Sequence, residues 1–269
     1  DPRMLEVFIT SGYRKQGLSP AECMLSVFSL TNETVNVWTH FLPGIYFFCW
    51  AVHQLFGFFL GGGGMEDLET SAPFVIHLFS IWLFLTTSTT AHTFCCLSPR
   101  ARDIGFFFDY AAIALYGVSS SILYSTCCRP IGYSFVTTEQ YVVINSIVAI
   151  SACAVGCLSR SWNPPKSYLI RSVLYLLLWL STNWIVLIRL FMEPEHVTHS
   201  FHRNFIMAYI CALFFMLSKF PERMFPASSW FDLFGASHQW FHLFTAIATF
   251  WHLEGIQADH KYFMGLARR

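Results

Sequence analysis

Seven stretches of this chain carry no charged side chain: 34–65, 70–99, 110–128, 140–159, 172–188, 204–218 and 233–253. A bilayer core takes roughly 20 apolar residues of helix, in a range of about 17–25. The pattern therefore predicts seven transmembrane helices. The sixth window is short at 15 residues, but Arg203 and Lys219 flank it and can snorkel to the interfaces. The first two windows are long because each includes a polar connecting segment. Apolar runs of this length exclude a transmembrane barrel, and helices remain as the way to satisfy backbone polar groups in lipid. No repeat of the transporter kind is visible. The expected architecture is an all-α bundle of seven transmembrane helices over residues 34–255, preceded by an N-terminal segment, 1–33, and followed by a C-terminal segment, 256–269.

Orientation follows from the basic residues near the spans. With the N-terminus inside, the inner segments carry ten: Arg3, Arg14, Lys15, Arg100, Arg102, Arg160, Lys166, Arg171, Lys219 and Arg223. The outer segments carry six: Arg129, Arg189, Arg203, Lys261, Arg268 and Arg269. A cytoplasmic N-terminus and an outer C-terminus are favoured. That is the reverse of the G-protein-coupled receptors and argues against that class. Composition agrees with a membrane solvent: of 269 residues 55% are hydrophobic and 12% charged, against about 25% charged in soluble domains. A net charge of zero gives no support for a nucleic-acid partner. The nine cysteines include several within the hydrophobic spans, where thiols act as inert packing groups. The chain opens Asp1-Pro2 and shows no signal-peptide pattern.

This topology brings polar residues together at one depth. His92 lies near the inner end of span two, Asp109 at the start of span three, and His238 and His242 in the first turns of span seven. Ser88 precedes His92 by four residues, the spacing that also separates His238 from His242, so each pair shares a helix face. Three imidazoles suit zinc, which commonly takes three protein ligands and leaves a fourth position open. Zinc also lowers the pKa of a bound water to about 7. His92, His238 and His242 are therefore the expected zinc ligands, with Asp109 and Ser88 the candidate catalytic groups. Asp109 could orient or deprotonate the water or bind the metal, and Ser88 could bond a ligand or a substrate carbonyl.

Other polar positions compete. His196, His199 and His202 recur every three residues in the loop between spans five and six, which should be outside and wet, so an ordinary solvated loop is the expectation. His40, near the inner end of span one, could support the metal ligands from behind. His252 lies 14 residues beyond His238, about 21 Å along a helix, too far for the same ion, and is expected near the outer face. Thr31 to His40 could cap span one, with Trp38 at the interface. Glu222 and Arg223 could pair with that stretch and close the inner surface. The Gly61–Gly64 run reads as a short loop.

Asn32-Glu33-Thr34-Val35-Asn36-Val37-Trp38-Thr39-His40, Ser88 to Phe94, Phe108-Asp109-Tyr110, Pro221-Glu222-Arg223 and Ser237-His238-Gln239-Trp240-Phe241-His242 occur in order. Together, across about residues 10–257, they resemble the progestin and adipoQ receptor family. The Asn-Glu-Thr opening and the Phe231-Asp232 region are more similar to its membrane progestin receptor branch. The resemblance implies seven helices, a cytoplasmic N-terminus, and zinc held by His92, His238 and His242 with Ser88 and Asp109 in support. It also implies a steroid ligand, signalling linked to G proteins and a plasma-membrane location. The wider superfamily includes zinc-dependent ceramidases. Two departures stand out: Ala236 replaces a frequent histidine, and too few residues follow Glu254 for the eighth span seen in many progestin-branch members. A zinc-containing steroid receptor is the leading expectation, and a zinc-dependent lipid amide hydrolase, ceramidase-like, is the alternative.

Overall fold

The computed structural model describes residues 5–60, 65–130, 132, 134–162, 166–193, 196–226 and 228–267, without side chains at 65–71 and 263–267. The Gly61–Gly64 run lies outside the described residues. Among those described, all regular structure is helical. A short α1 (Pro20–Leu25) precedes α2 (Thr34–Leu60), α3 (Met65–Phe94), α4 (Pro99–Cys127), α5 (Thr138–Leu158), α6 (Lys166–Met192) and α7 (His199–Ser218). A short α8 (Ser229–Leu233) then leads into the long α9 (Ser237–Ala267). Local chemistry sets the helix starts. Ser19 and Glu22 form a capping box at α1, and Thr137 and Gln140 form one at α5. Ser98 caps α4 ahead of Pro99, whose missing N–H costs nothing in the first turn.

The start of α4 corrects one expectation. The charge-free window opens at 110, but the cap at Ser98 begins the helix ten residues before Asp109. Arg100, Arg102 and Asp103 occupy its first turns, and Asp109 sits in its interior.

Six helical segments are long and apolar enough to cross a membrane: Thr34–Leu60, Ala72–Phe94, Pro99–Cys127, Thr138–Ser161, Lys166–Met192 and His199–Ser218. The residues expected to form a seventh span fall within α9, 31 residues long, which is not among the six. Its histidines, Gln239, Glu254 and Asp259 keep it below the hydropathy of the six. At 1.5 Å per residue α9 extends about 46 Å, and the boundary expected after residue 255 falls inside it.

The distribution of side chains inverts that of a soluble bundle. Phe59, Ile147, Ile150, Leu177, Met207 and Phe214 face outward, while His40, His77, Ser119, Ser120, Asn145 and Asn183 are buried. Contiguous exposed apolar surface of this kind fits a lipid solvent. Two buried threonine hydroxyls are satisfied within their own helix: Thr89 and Thr93 of α3 donate to the carbonyls four residues earlier, each at 2.8 Å.

Packing makes α4 central, against α3, α5, α6 and α9, while α9 also lies against α7 and α2. Phe47, Leu78, Ile81, Leu85 and Leu253 join α2, α3 and α9. Ala114, Ala149, Ala152 and Leu178 join α4, α5 and α6. Close approach of α3 and α4 depends on Gly105, where an added Cβ would stand 3.2 Å from the Cα of Ala91, next to His92.

The N-terminal segment folds over the end of the bundle where α3 finishes and α9 begins. Arg14 donates to the carbonyls of His92 and Thr93, the latter at 2.8 Å, and satisfies groups the end of α3 leaves open. Asp232 in α8 accepts from the Thr10 N–H at 3.1 Å, the Thr10 hydroxyl at 2.9 Å and the Ser11 hydroxyl at 2.7 Å. Burial alone would raise the Asp232 carboxyl pKa; the Ser11 and Thr10 bonds outweigh it and lower it. Gly12 has φ +78°, and a Cβ there would meet Leu233 at 2.6 Å. The turn admits only glycine without strain.

Candidate metal centre

His92 ends α3, and His238 and His242 occupy the first turns of α9. One ligand nitrogen from each lies within 4.8 Å of the other two. The Nε2 atoms of His238 and His242 are 3.2 Å apart. The other nitrogen of two rings is anchored. Nδ1 of His92 donates to Glu33 Oε2 at 2.7 Å, and Nδ1 of His242 donates to the Asn36 carbonyl at 3.2 Å. Both bonds fix the tautomer that leaves Nε2 as a lone-pair donor toward the cluster. His40 stacks on His242 with ring centroids 4.0 Å apart and reaches Thr245 at 3.3 Å, so it supports the cluster from behind.

Glu33 is the residue that sequence reasoning missed as a site member. Its carboxylate also accepts from the Asn36 side chain at 2.9 Å. One carboxylate thus touches His92 and the side chain of Asn36, the residue whose backbone carbonyl accepts from His242. Burial would raise the Glu33 pKa, but the His92 ring, its hydrogen bond, Asn36 and Arg14 hold it at about 2. The Glu33/Asn36 spacing is the available signal, because residues three apart share a helix face. The loop residue Glu222 does not pair with the Thr31–His40 stretch. It accepts from the backbone N–H of Ser237 at 2.7 Å and from the Ser237 hydroxyl, satisfying the donors at the start of α9. Arg223 is exposed. Gln239 instead joins α9 to that stretch, through the Asn32 carbonyl at 3.4 Å.

Ser88 and Asp109 are buried and line the same cavity as the three histidines. Asp109 lies outside the group of mutually close ligand atoms, and its Oδ1 has no hydrogen-bond partner. The cavity gives about 230 Å³ of room for the centres of water-sized molecules. It runs along one face of α9, from His238 and His242 past Thr245 and Thr249 to His252, about 21 Å at 1.5 Å per residue. Phe84, Tyr116, Trp179, Phe205 and Tyr209 contribute aromatic walls. His252 is not near a wet face. It is buried midway along α9, with Nδ1 2.6 Å from the Tyr116 hydroxyl, because the helix continues another fifteen residues beyond it.

The His196/His199/His202 series also departs from expectation. His199 and His202 start α7 and are buried rather than solvated. His202, Cys128 and Asp259 bring ligand atoms close together. However, Asp259 Oδ2 is taken by Arg189 at 2.6 Å and His202 at 2.8 Å. A guanidinium on that oxygen repels a second cation, so this cluster reads as a neutralised ion network that ties α6, α7 and α9 together.

Fold and site therefore define a multi-pass helical membrane protein with a buried histidine cluster at one end of an aromatic cavity. The sequence profile of the haemolysin-III-related family matches residues 28–253. Membrane progestin receptor delta of Homo sapiens is 32% identical, over 93% of this chain and 74% of its own. Membrane progestin receptor gamma-B of Danio rerio is 33% identical, over 97% and 79%. Progestin and adipoQ receptor family member 3 of Homo sapiens is 27% identical, over 86% and 74%. The chain belongs to the haemolysin-III-related family and, within it, to the progestin and adipoQ receptors of the membrane progestin receptor branch.

Proposed function

We propose that this chain is a seven-helix membrane receptor for a steroid or related lipid, with a cytoplasmic N-terminus, a plasma-membrane location and a zinc ion held by His92, His238 and His242. The observation that carries the reading is the elongated aromatic cavity that ends on the histidine cluster. A mostly apolar cleft with a few convergent polar groups is the usual form of a small-molecule site. The names of the relatives at 32% and 33% identity support a progestin as the ligand. The donor set fits zinc: neutral imidazoles, two with the far nitrogen anchored, and a carboxylate beside one of them. Zinc would supply a Lewis acid at the cavity end and tie α3 to α9.

A hydrolase is the second reading, favoured by one observation. Asp109 keeps a buried carboxylate oxygen without a partner in the wall of the same cavity. In that reading Asp109 takes up a proton from the attacking water, Ser88 orients an amide carbonyl, and the aromatic walls exclude bulk water.

Saturable binding of a radiolabelled progestin to membranes carrying the chain, lost on filling the cavity with Gly117→Trp, is the expected result for a receptor. Gly117 lines the cavity, and Leu178 lies 3.2 Å from an added Cβ. Absence of saturable binding refutes it. Zinc-dependent release of fatty acid from ceramide, abolished by Asp109→Asn with zinc retained, would replace it with the hydrolase.

A further inference from the structure

The cavity has a second polar end, remote from the histidine cluster. Ten residues beyond His242 on α9, about 15 Å along the helix at 1.5 Å per residue, His252 lines it together with Tyr116, Ser120, Tyr209 and Thr249. Two of these groups are already spent. The Ser120 hydroxyl donates to the Tyr116 carbonyl at 2.7 Å, and the Thr249 hydroxyl donates to the Thr245 carbonyl at 2.8 Å. The Tyr209 hydroxyl has no hydrogen-bond partner among the described residues. Its ring is held in place by stacking on Trp179, with centroids 4.6 Å apart.

His252 also keeps an unused group. It is 1% exposed, and its Nε2 has no hydrogen-bond partner among the described residues. Its Nδ1 lies 2.6 Å from the Tyr116 hydroxyl. That distance falls in the range of an O–H donor and short of the range of an N–H donor. A phenol is also a far stronger acid than a neutral imidazole N–H, so Tyr116 donates and Nδ1 accepts. Burial away from water keeps the imidazole neutral, and its one proton is then on Nε2. Phe205 stacks on the ring at 4.8 Å between centroids and lies 6.4 Å from Tyr209, so both unused groups pack against one phenylalanine. His77 makes the contrast: its Nε2 is also without a partner, but His77 is not part of the cavity wall. A buried donor without an acceptor is costly, and a ligand oxygen in the cavity would remove that cost.

We propose that Tyr209 and His252 bind a carbonyl oxygen at the end of the ligand that lies away from the histidine cluster, with Tyr116 positioning His252 by holding its tautomer. The inference rests on the reading of the cavity as a ligand site and adds the chemistry of the ligand's far end. His252 offers a donor only, so the ligand must supply an acceptor there. The cavity then selects an apolar body with an oxygen at its far end over one that ends in hydrocarbon.

The test uses the full chain in membranes and competition against radiolabelled progesterone. The competitors are progesterone itself and its two deoxy analogues, pregn-4-en-3-one and pregn-4-en-20-one, each lacking one carbonyl oxygen. At least one analogue should bind about 5- to 100-fold more weakly than progesterone, the range for one or two hydrogen bonds to a buried site. That analogue identifies the oxygen at the far end. Tyr209→Phe and His252→Phe should each cut this ratio about threefold or more. Tyr46→Phe, outside the cavity lining, should keep it. If His252→Phe does not fold, Tyr209→Phe, which removes a single oxygen atom, decides the matter alone.

Equal binding of progesterone and both analogues overturns the carbonyl site and leaves the cavity reading standing. A ratio that survives in Tyr209→Phe overturns it as well, since a merely structural hydroxyl would leave the ratio unchanged. No saturable binding of progesterone overturns both readings.

Discussion

Removing Glu33 should weaken zinc binding although it is not itself a ligand. Its Oε2 accepts from Nδ1 of His92 at 2.7 Å and from the Asn36 side chain at 2.9 Å. The Asn36 carbonyl in turn holds His242 at 3.2 Å. Loss of a carboxylate that orients a ligating histidine typically costs 10- to 100-fold in metal affinity, or about 1.4–2.8 kcal/mol. Because Glu33→Ala removes the acceptor on His92 altogether, it should fall at the upper end of that range. Glu33→Gln keeps an acceptor of the same shape and loses only the charge, so it should lie near the lower end. Zinc affinity is measured by competition with a chromophoric chelator, in detergent, alongside the melting temperature. Wild-type affinity in Glu33→Ala would refute the reasoning, because it would mean that His92 does not present Nε2 under the control of Glu33.

Three further outcomes follow from the packing. Asp232→Asn should destabilise the N-terminal segment above the ordinary aspartate range. The depressed pKa of Asp232 gives stability that is present above about pH 3.9 and lost as pH falls through the folded value. The melting-temperature gap between wild type and variant should therefore close on acidification, and a gap independent of pH would contradict it. Arg189→Met leaves Asp259 buried without its cation, which should cost roughly 3–5 kcal/mol in a chemical-denaturation series. A loss below about 1 kcal/mol would show that His202 alone satisfies Asp259. Gly12→Ala forces a side chain into a left-handed turn against Leu233. Faster proteolysis within residues 5–33 is expected, and unchanged protection would refute the docking of the N-terminal segment through this turn.

Much of the site was legible because it follows from helical period and topology. His238 and His242 share a face by spacing alone, and the alternation of spans brings His92 to the same end. The start of α4 was hidden because charge marks where lipid-compatible sequence begins, whereas the Ser98 cap decides where the helix begins. The burial of His202 was not readable either. It depends on Asp259, 57 residues away, and a loop rich in histidine reads as wet until a buried partner is known. Glu33 escaped for the same reason: its partner is 59 residues distant, on another helix. The cavity lining also draws Arg102, Arg160, Arg171 and Lys219 from four separate stretches, and no local pattern joins them.

The metal content of the purified protein tests the central claim most directly, with wild type beside His238→Ala. One zinc per chain in wild type and none in the variant is the predicted result. A folded wild type that carries no zinc, even after zinc is supplied, would contradict it and reduce the three histidines to packing groups between α3 and α9.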